Sequence, residues 1–291
     1  MNRSAWPVML ALAVLSTLAG CGAEAWKAQQ VTAIGRLAVP ECAVVDVQTG
    51  KVYVSEMDTD SGAYWADDGK GSIALLAPGG TPRDLRWRAS TEEVPIHSPK
   101  GMAILHRVLY VADNSRVLGF PLTDAEGVEP LKGPKGEHLN DMATDGEAVY
   151  VSDTAAGVVY RMADDGLTRI KAPAGVNGIT CFKEKLYAVS WDLHEVYELD
   201  PTGEGYPVPM GLQDHFKTPD GIEVLDDGTI LVSDMHGNRV AAVAPDRKHV
   251  YTLVELETPA DIGLDRERRL LYVPQFEQDC ITVCRLIPVE Q

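Results

Sequence analysis

Six polar residues head six similar apolar stretches: Glu41, Lys100, Asn140, Asn177, Asp220 and Asp261. The stretches read Glu41-Cys-Ala-Val-Val, Lys100-Gly-Met-Ala-Ile, Asn140-Asp-Met-Ala-Thr, Asn177-Gly-Ile-Thr-Cys, Asp220-Gly-Ile-Glu-Val and Asp261-Ile-Gly-Leu-Asp. A stretch that only packed would more often open on Val, Ile or Ala. Brought together, these side chains would present carboxylate and amide oxygens. Hard divalent cations take such donors, Ca²⁺ using six to eight at about 2.3–2.6 Å. Three carboxylates and one lysine leave the set at −2, which balances one divalent ion. The competing reading is a self-satisfied network, in which Lys100 pairs with Asp261 or Glu41 and the amides bridge through water.

The elements that would position these residues repeat about every 40 residues, the first interval being about 19 longer. Each anchor stretch is followed by a second strand. These are Val52-Tyr-Val-Ser-Glu, Leu109-Tyr-Val-Ala-Asp, Val149-Tyr-Val-Ser-Asp, Leu186-Tyr-Ala-Val-Ser, Ile230-Leu-Val-Ser-Asp and Leu271-Tyr-Val-Pro-Gln. Third strands and weaker fourth strands follow, the blade-two fourth strand falling at Pro130-Leu-Lys. Four short strands per repeat, rich in β-branched and aromatic residues, are what a β-propeller blade requires. The expected fold is therefore all-β: a six-bladed β-propeller over residues 31–288. The last repeat lacks a fourth strand, and Val31 to Val39 is a spare strand at the other terminus. That N-terminal strand is expected to join the last blade and close the ring. First strands line the central channel, so the anchors converge near its axis. The excess in the first repeat holds Asp58 to Gly71, expected to be a mobile loop beside a ligand site. Its Asp58, Asp60 and Gly62 do not make an EF-hand, because the sixth and twelfth positions are Ala63 and Gly69.

The net charge of −17 opposes nucleic acid and anionic lipid. Arg3, an uncharged run from Trp6 to Ala19, and Leu18-Ala19-Gly20-Cys21 make a leader too short to span a membrane. Its end resembles the bacterial lipobox, which implies cleavage after residue 20 and acylation of Cys21. Residues 21–30 then read as a tether, so the membrane is met through the lipid anchor only. Gly22, in place of an Asp, favours the outer membrane facing the periplasm in a Gram-negative host. Cys42, Cys181, Cys280 and Cys284 lack CxxC spacing and read as small buried hydrophobes.

Glu41 opening blade one, Asn140-Asp141, Asn177-Gly178 and Pro219-Asp220-Gly221 resemble the senescence marker protein/gluconolactonase family, to which diisopropyl fluorophosphatase is related. The resemblance implies one catalytic divalent cation in the channel, Ca²⁺ first, with Zn²⁺ or Mg²⁺ as alternatives. Glu41, Asn177 and Asp220 would be its ligands, with Asn140 a fourth ligand or a substrate contact. It implies hydrolysis of lactones or phosphoesters, with Asp220 as general base or nucleophile. His138, Lys100 and Asp261 are the remaining candidates for substrate contact. The chain departs from the pattern in having Cys42-Ala43 after the first Glu and a lysine in the ring. The alternative function is a non-catalytic NHL-type propeller that binds a protein or glycan.

Other residues carry blander expectations. Asp113, Asp153 and Asp234, which end second strands, are expected to bond nearby backbone N–H groups. His97, His194, His215, His236 and His249 read as surface or loop residues, with the channel mouth as the alternative for His236. Trp65, Trp87 and Trp191 read as packing residues, with a pocket wall as the alternative. The sequence holds no G-x-S-x-G, no Gly-rich phosphate loop and no HExxH.

Overall fold

Along each second strand, successive residues serve two different neighbours. Val52 and Val54 pack with Tyr272 and Val283 of the last blade, whereas Tyr53 between them packs with Leu109 and Val111 of blade two. This is the two-residue strand period applied to a sheet buried on both faces. It explains why second strands are nearly continuous apolar runs, with every residue of Val52–Glu56 and Ile230–Asp234 buried. Six apolar clusters form in this way, one between each adjacent pair of blades.

In a computed structural model that describes residues 25–60, 62–122 and 131–289, the strands form six sheets arranged as a six-bladed β-propeller. The leader and Cys21 lie outside the described residues. Inner strands are Pro40–Val45, Pro99–Leu105, Leu139–Thr144, Val176–Phe182, Pro219–Val224 and Gly263–Asp265. Each pairs antiparallel with the second strand of its own blade. Asp261 precedes its inner strand instead of opening it.

The ring closes where Trp26–Gly35 pairs antiparallel with Cys280–Pro288. This strand starts earlier than the sequence suggests, so residues 26–30 are not tether. Its outer position explains the misreading. Only Ile34 is buried along it, so it shows no apolar alternation. Trp26 fastens its start, donating its backbone N–H to the Tyr251 hydroxyl and its indole N–H to Asp227. Blade two has three strands among the described residues. Its expected fourth begins outside them, and Leu131 and Lys132 carry no strand.

Candidate functional site

The repeated Tyr-Val-Ser-Asp signature explains how the anchors are held. Five inner strands break register at the anchor, between Pro40 and Ala43, Pro99 and Met102, Val176 and Ile179, Pro219 and Ile222, and opposite Val151 and Asp153. Such a bulge frees a backbone N–H from the ladder. In blades one, three and five the signature serine receives it. Ser55 Oγ accepts from Cys42 N–H at 2.9 Å, Ser152 Oγ from Asp141 N–H at 2.9 Å and Ser233 Oγ from Gly221 N–H at 2.7 Å.

The last residue of each second strand holds the segment leading into the anchor. Asp113 accepts from the N–H groups of His97 and Ser98, Asp153 from Glu137 and His138, and Asp234 from Lys217 and Thr218. Glu56 does the same for Ala38. Ser190 and Gln275 donate instead, to the carbonyls of Ala174 and Glu257. The three aspartates therefore bond backbone N–H groups, as expected. They do so across the blade, to the residues just before Lys100, Asn140 and Asp220.

The bulge also turns two consecutive residues inward. Glu41 and Asn140 line a cavity of about 330 Å³ at one end of the channel, while Cys42 and Asp141 line a chamber of about 360 Å³. Glu41, Lys100, Asn140, Asn177 and Asp220 share the first cavity. Asp261 does not: it lines the chamber with Cys42 and Asp141. His138 stands behind the first cavity, its ring stacked on Trp65 at 4.1 Å. Close approach of the inner strands accounts for the glycines after the anchors. A Cβ on Gly178 would overlap the Asp220 carbonyl, and one on Gly221 would meet the Asp261 carboxylate.

At the base of the first cavity Asn177 Nδ2 donates to Asp220 Oδ1 at 2.6 Å, and Asn140 Nδ2 donates to Thr154 Oγ1 at 3.2 Å. Glu41 Oε2 and Asn140 Oδ1 are buried with no hydrogen-bond partner among the described residues. Burial and repulsion from Asp220 hold the Glu41 carboxyl well above its usual range, against the pull of Lys100. Burial and the Asp141 carboxylate push Asp220 up to about 7, against the Asn177 hydrogen bond. Two buried carboxyls that repel each other, beside orphaned oxygens, are costly unless a cation neutralises them. Glu41, Asn140, Asn177 and Asp220 therefore fit an oxygen-loving divalent ion.

Among the described residues Lys100 pairs with no carboxylate. Its ammonium donates to the carbonyls of Tyr64 at 2.7 Å and Ser98 at 3.1 Å, and lies 3.2 Å from Asn114 Oδ1. It also sits 3.8 Å from the centre of the Trp65 ring. Burial pulls it down to about 8, with Glu41 and Asp113 opposing. The lysine is thus a latch for the inserted loop. Asn114 adds bonds to the Ala66 carbonyl and Asp67, and Gly69 N–H donates to His97 Nδ1. The loop expected to be mobile is tied to blade two at these points, and it places Tyr64 and Trp65 in the cavity wall.

Met57, Met235 and Phe276 were not legible as site residues, whereas Trp191 and His236 were open to a place at the cavity as the less favoured reading. Met57, Trp191, Met235, His236 and Phe276 complete the wall. Trp87 does pack, against Tyr53. The available signal was position, since Met57, Trp191, Met235 and Phe276 each directly follow a second strand. Cys42, Asp141 and Asp261 form a second donor group, with one ligand atom from each within 4.8 Å of the others. The Asp141 and Asp261 carboxyls lie against each other, and burial pushes Asp141 up to about 6. Cys42 is buried as expected, but in this polar cluster. All four described cysteines are free, and Cys181 and Cys280 are only partly buried.

No protein-family model matches the chain, and no curated relative matches it. Solved structures do. A catalytically inactive variant of virginiamycin B lyase from Staphylococcus aureus aligns with a TM-score of 0.62 at 15% identity, covering 90% of this chain and 100% of that one. A luciferin-regenerating enzyme aligns at 0.63 and 14%, covering 91% and 96%. A gluconolactonase-like protein aligns at 0.62 and 17%, covering 91% and 94%. At these identities the likeness is one of fold: the chain shares its six-bladed propeller with lyase and gluconolactonase-like proteins.

Proposed function

We propose that this chain is a divalent-metal-dependent hydrolase of lactones or related esters, exported and held at a membrane by lipid on Cys21. The observation that carries the reading is the cavity base. Orphaned Glu41 Oε2 and Asn140 Oδ1 lie in the same cavity as the Asn177–Asp220 pair, under walls that shield them. Glu41, Asn140, Asn177 and Asp220 hold the ion, Ca²⁺ first by its preference for oxygen donors. When bound, the ion supplies Lewis-acid polarisation of the acyl carbonyl.

The chain's own groups do the rest. Asp220 takes a proton from the attacking water, and Asn177 fixes its Oδ1. Water oxygen bonds to the acyl carbon, the acyl C–O bond breaks, and the proton passes to the leaving alkoxide. The product is a hydroxy acid from a lactone, or an acid and an alcohol from an ester. Lys100 fixes the wall through Tyr64 and draws the Glu41 carboxyl toward its charged form. The leader-like sequence ending at Cys21 supports a location outside the cytoplasm, at the outer membrane in a Gram-negative host.

A lactone and phosphotriester panel with added Ca²⁺, Zn²⁺ or Mg²⁺ tests the reading. Turnover should need the ion and fall at least about 100-fold in Asp220→Asn. Absence of metal-dependent turnover across the panel would overturn it. Incorporation of a labelled fatty acid into the wild type but not Cys21→Ser tests the anchor.

A further inference from the structure

The residues that follow the second strands form a collar above the anchors: Met57, Asn114, Thr154, Trp191, Met235 and Phe276. All but Asn114 line the cavity. The collar has two unlike sides. From blade four round to blade one it is Trp191, Met235, Phe276 and Met57. Met57, Met235 and Phe276 are buried together with Ala260, and Tyr64 and Trp191 pack on them. Tyr64 meets Phe276 edge-on at 5.0 Å, and Trp191 meets His236 at 5.4 Å.

On blades two and three the collar is polar, but its groups already have protein partners. Asn114 Nδ2 donates to Ala66 O and Asp67, Lys100 bonds Tyr64, Ser98 and Asn114, and Thr154 Oγ1 donates to Val176 O. Orphaned oxygens in the cavity belong to the metal donors Glu41 and Asn140, at its base. The walls thus offer an aromatic and thioether surface, and besides the groups already bonded their polar members are the exposed Glu277 and His236. At about 330 Å³ the cavity is at the small end of ligand pockets.

Resting on the hydrolase reading above, we propose that the preferred substrates carry an apolar, preferably aromatic, body beside the lactone or ester group, and are not polyhydroxylated sugar lactones. The apolar body seats against Trp191, Met235, Phe276 and Met57, and this directs the acyl carbonyl to the base. Ring-on-ring contact adds to burial of the apolar surface. Each sugar hydroxyl carried against the aromatic and thioether face would lose its water partners without replacement, weakening binding about 5- to 150-fold apiece. Two such hydroxyls are enough to reverse a preference. Specificity here is the difference between these two terms.

The test separates binding from turnover. Hydrolysis-inert lactams, 6-phenylpiperidin-2-one and glucono-δ-lactam, are titrated calorimetrically into the metal-loaded protein, and the corresponding lactones are assayed for turnover. The phenyl lactam should bind at least about tenfold tighter than the sugar lactam, and the lactones should differ in kcat/KM in the same direction. Trp191→Ala should weaken phenyl lactam binding about tenfold or more, and Trp191→Phe, which keeps an aromatic face, should restore most of it. Equal or tighter binding of the sugar lactam, no binding of either, or unchanged affinity in folded Trp191→Ala overturns the proposal. If the phenyl lactam binds as described but neither lactone nor ester is cleaved, the hydrolase reading falls while the apolar specificity of the pocket stands.

Discussion

Asp234 is the sharpest place to perturb the scaffold without touching the cavity. Its carboxylate is buried, accepts from Lys217 N–H and Thr218 N–H at 2.9 Å each, and lies 3.4 Å from Arg239 Nε. Asp234→Ala removes Oδ1, the one oxygen that accepts both bonds. A hydrogen bond to a charged group contributes about 1.5–3 kcal/mol, but Lys217 is exposed and Thr218 partly so, and water can reach their amides. Arg239 keeps a bond to the His215 carbonyl, so its charge is not stranded. The expected loss is about 2–4 kcal/mol. Asp234→Asn keeps an oxygen for the two amides but turns an amide toward Arg239, so it should lose about half as much. Urea unfolding of the metal-free domain reads this as a lower midpoint at constant m. Divalent affinity should fall as well, because Asp220 is two residues beyond Thr218. A stability change for Asp234→Ala within about 0.5 kcal/mol of wild type would refute the idea that second-strand ends position the anchors.

Three further outcomes follow from other parts of the ring. Burial pushes Glu56 up to about 7, so the folded state favours its neutral form, and that stabilisation is lost as pH rises through about 7. Glu56→Gln, which keeps an acceptor for Ala38 N–H, should therefore be more stable than wild type at pH 8 by about 2 kcal/mol, and no different near pH 4, in paired urea titrations. Lys100→Met should remove one of the two donors to the Tyr64 carbonyl, leaving Ser98 Oγ, and expose the 58–71 loop to limited proteolysis, with cleavage mapped by mass spectrometry, whereas wild type stays intact. Deletion through residue 25 should leave Tm unchanged, while deletion through Gly35 removes the partner of Cys280–Pro288 and should abolish cooperative melting.

The architecture was legible because the repeat carries its own spacing. Alternation and turn residues mark the strands, and both faces of every blade are buried in the same way. The closing strand was placed late because its exposed residues show no alternation. The anchors were legible because a polar residue at the head of an apolar strand breaks the pattern. What lies beside them was not. Cys42 and Asp141 face the axis because of a bulge, and a bulge is a matter of pairing register that one strand read alone does not contain. Asp261 was grouped with the other anchors by spacing. In the ring it lines the chamber with Cys42 and Asp141, and the inner strand of its blade starts two residues after it, whereas the other anchors are second in theirs. Lys100 resembled an ion-pair partner from its charge alone. Its actual partners are carbonyls of Tyr64 and Ser98 and the Asn114 side chain, the first of them in a loop whose course no periodicity describes.

The central claim is that Glu41, Asn140, Asn177 and Asp220 hold one divalent cation. Calorimetric titration of Ca²⁺ into the metal-stripped, purified protein tests it most directly, beside Asp220→Ala and Asn177→Ala prepared in the same way. Saturable binding of one ion per chain by the wild type, lost in both folded variants, is the predicted result. No saturable binding of Ca²⁺, Zn²⁺ or Mg²⁺ by the wild type, or binding that survives both substitutions, would contradict it.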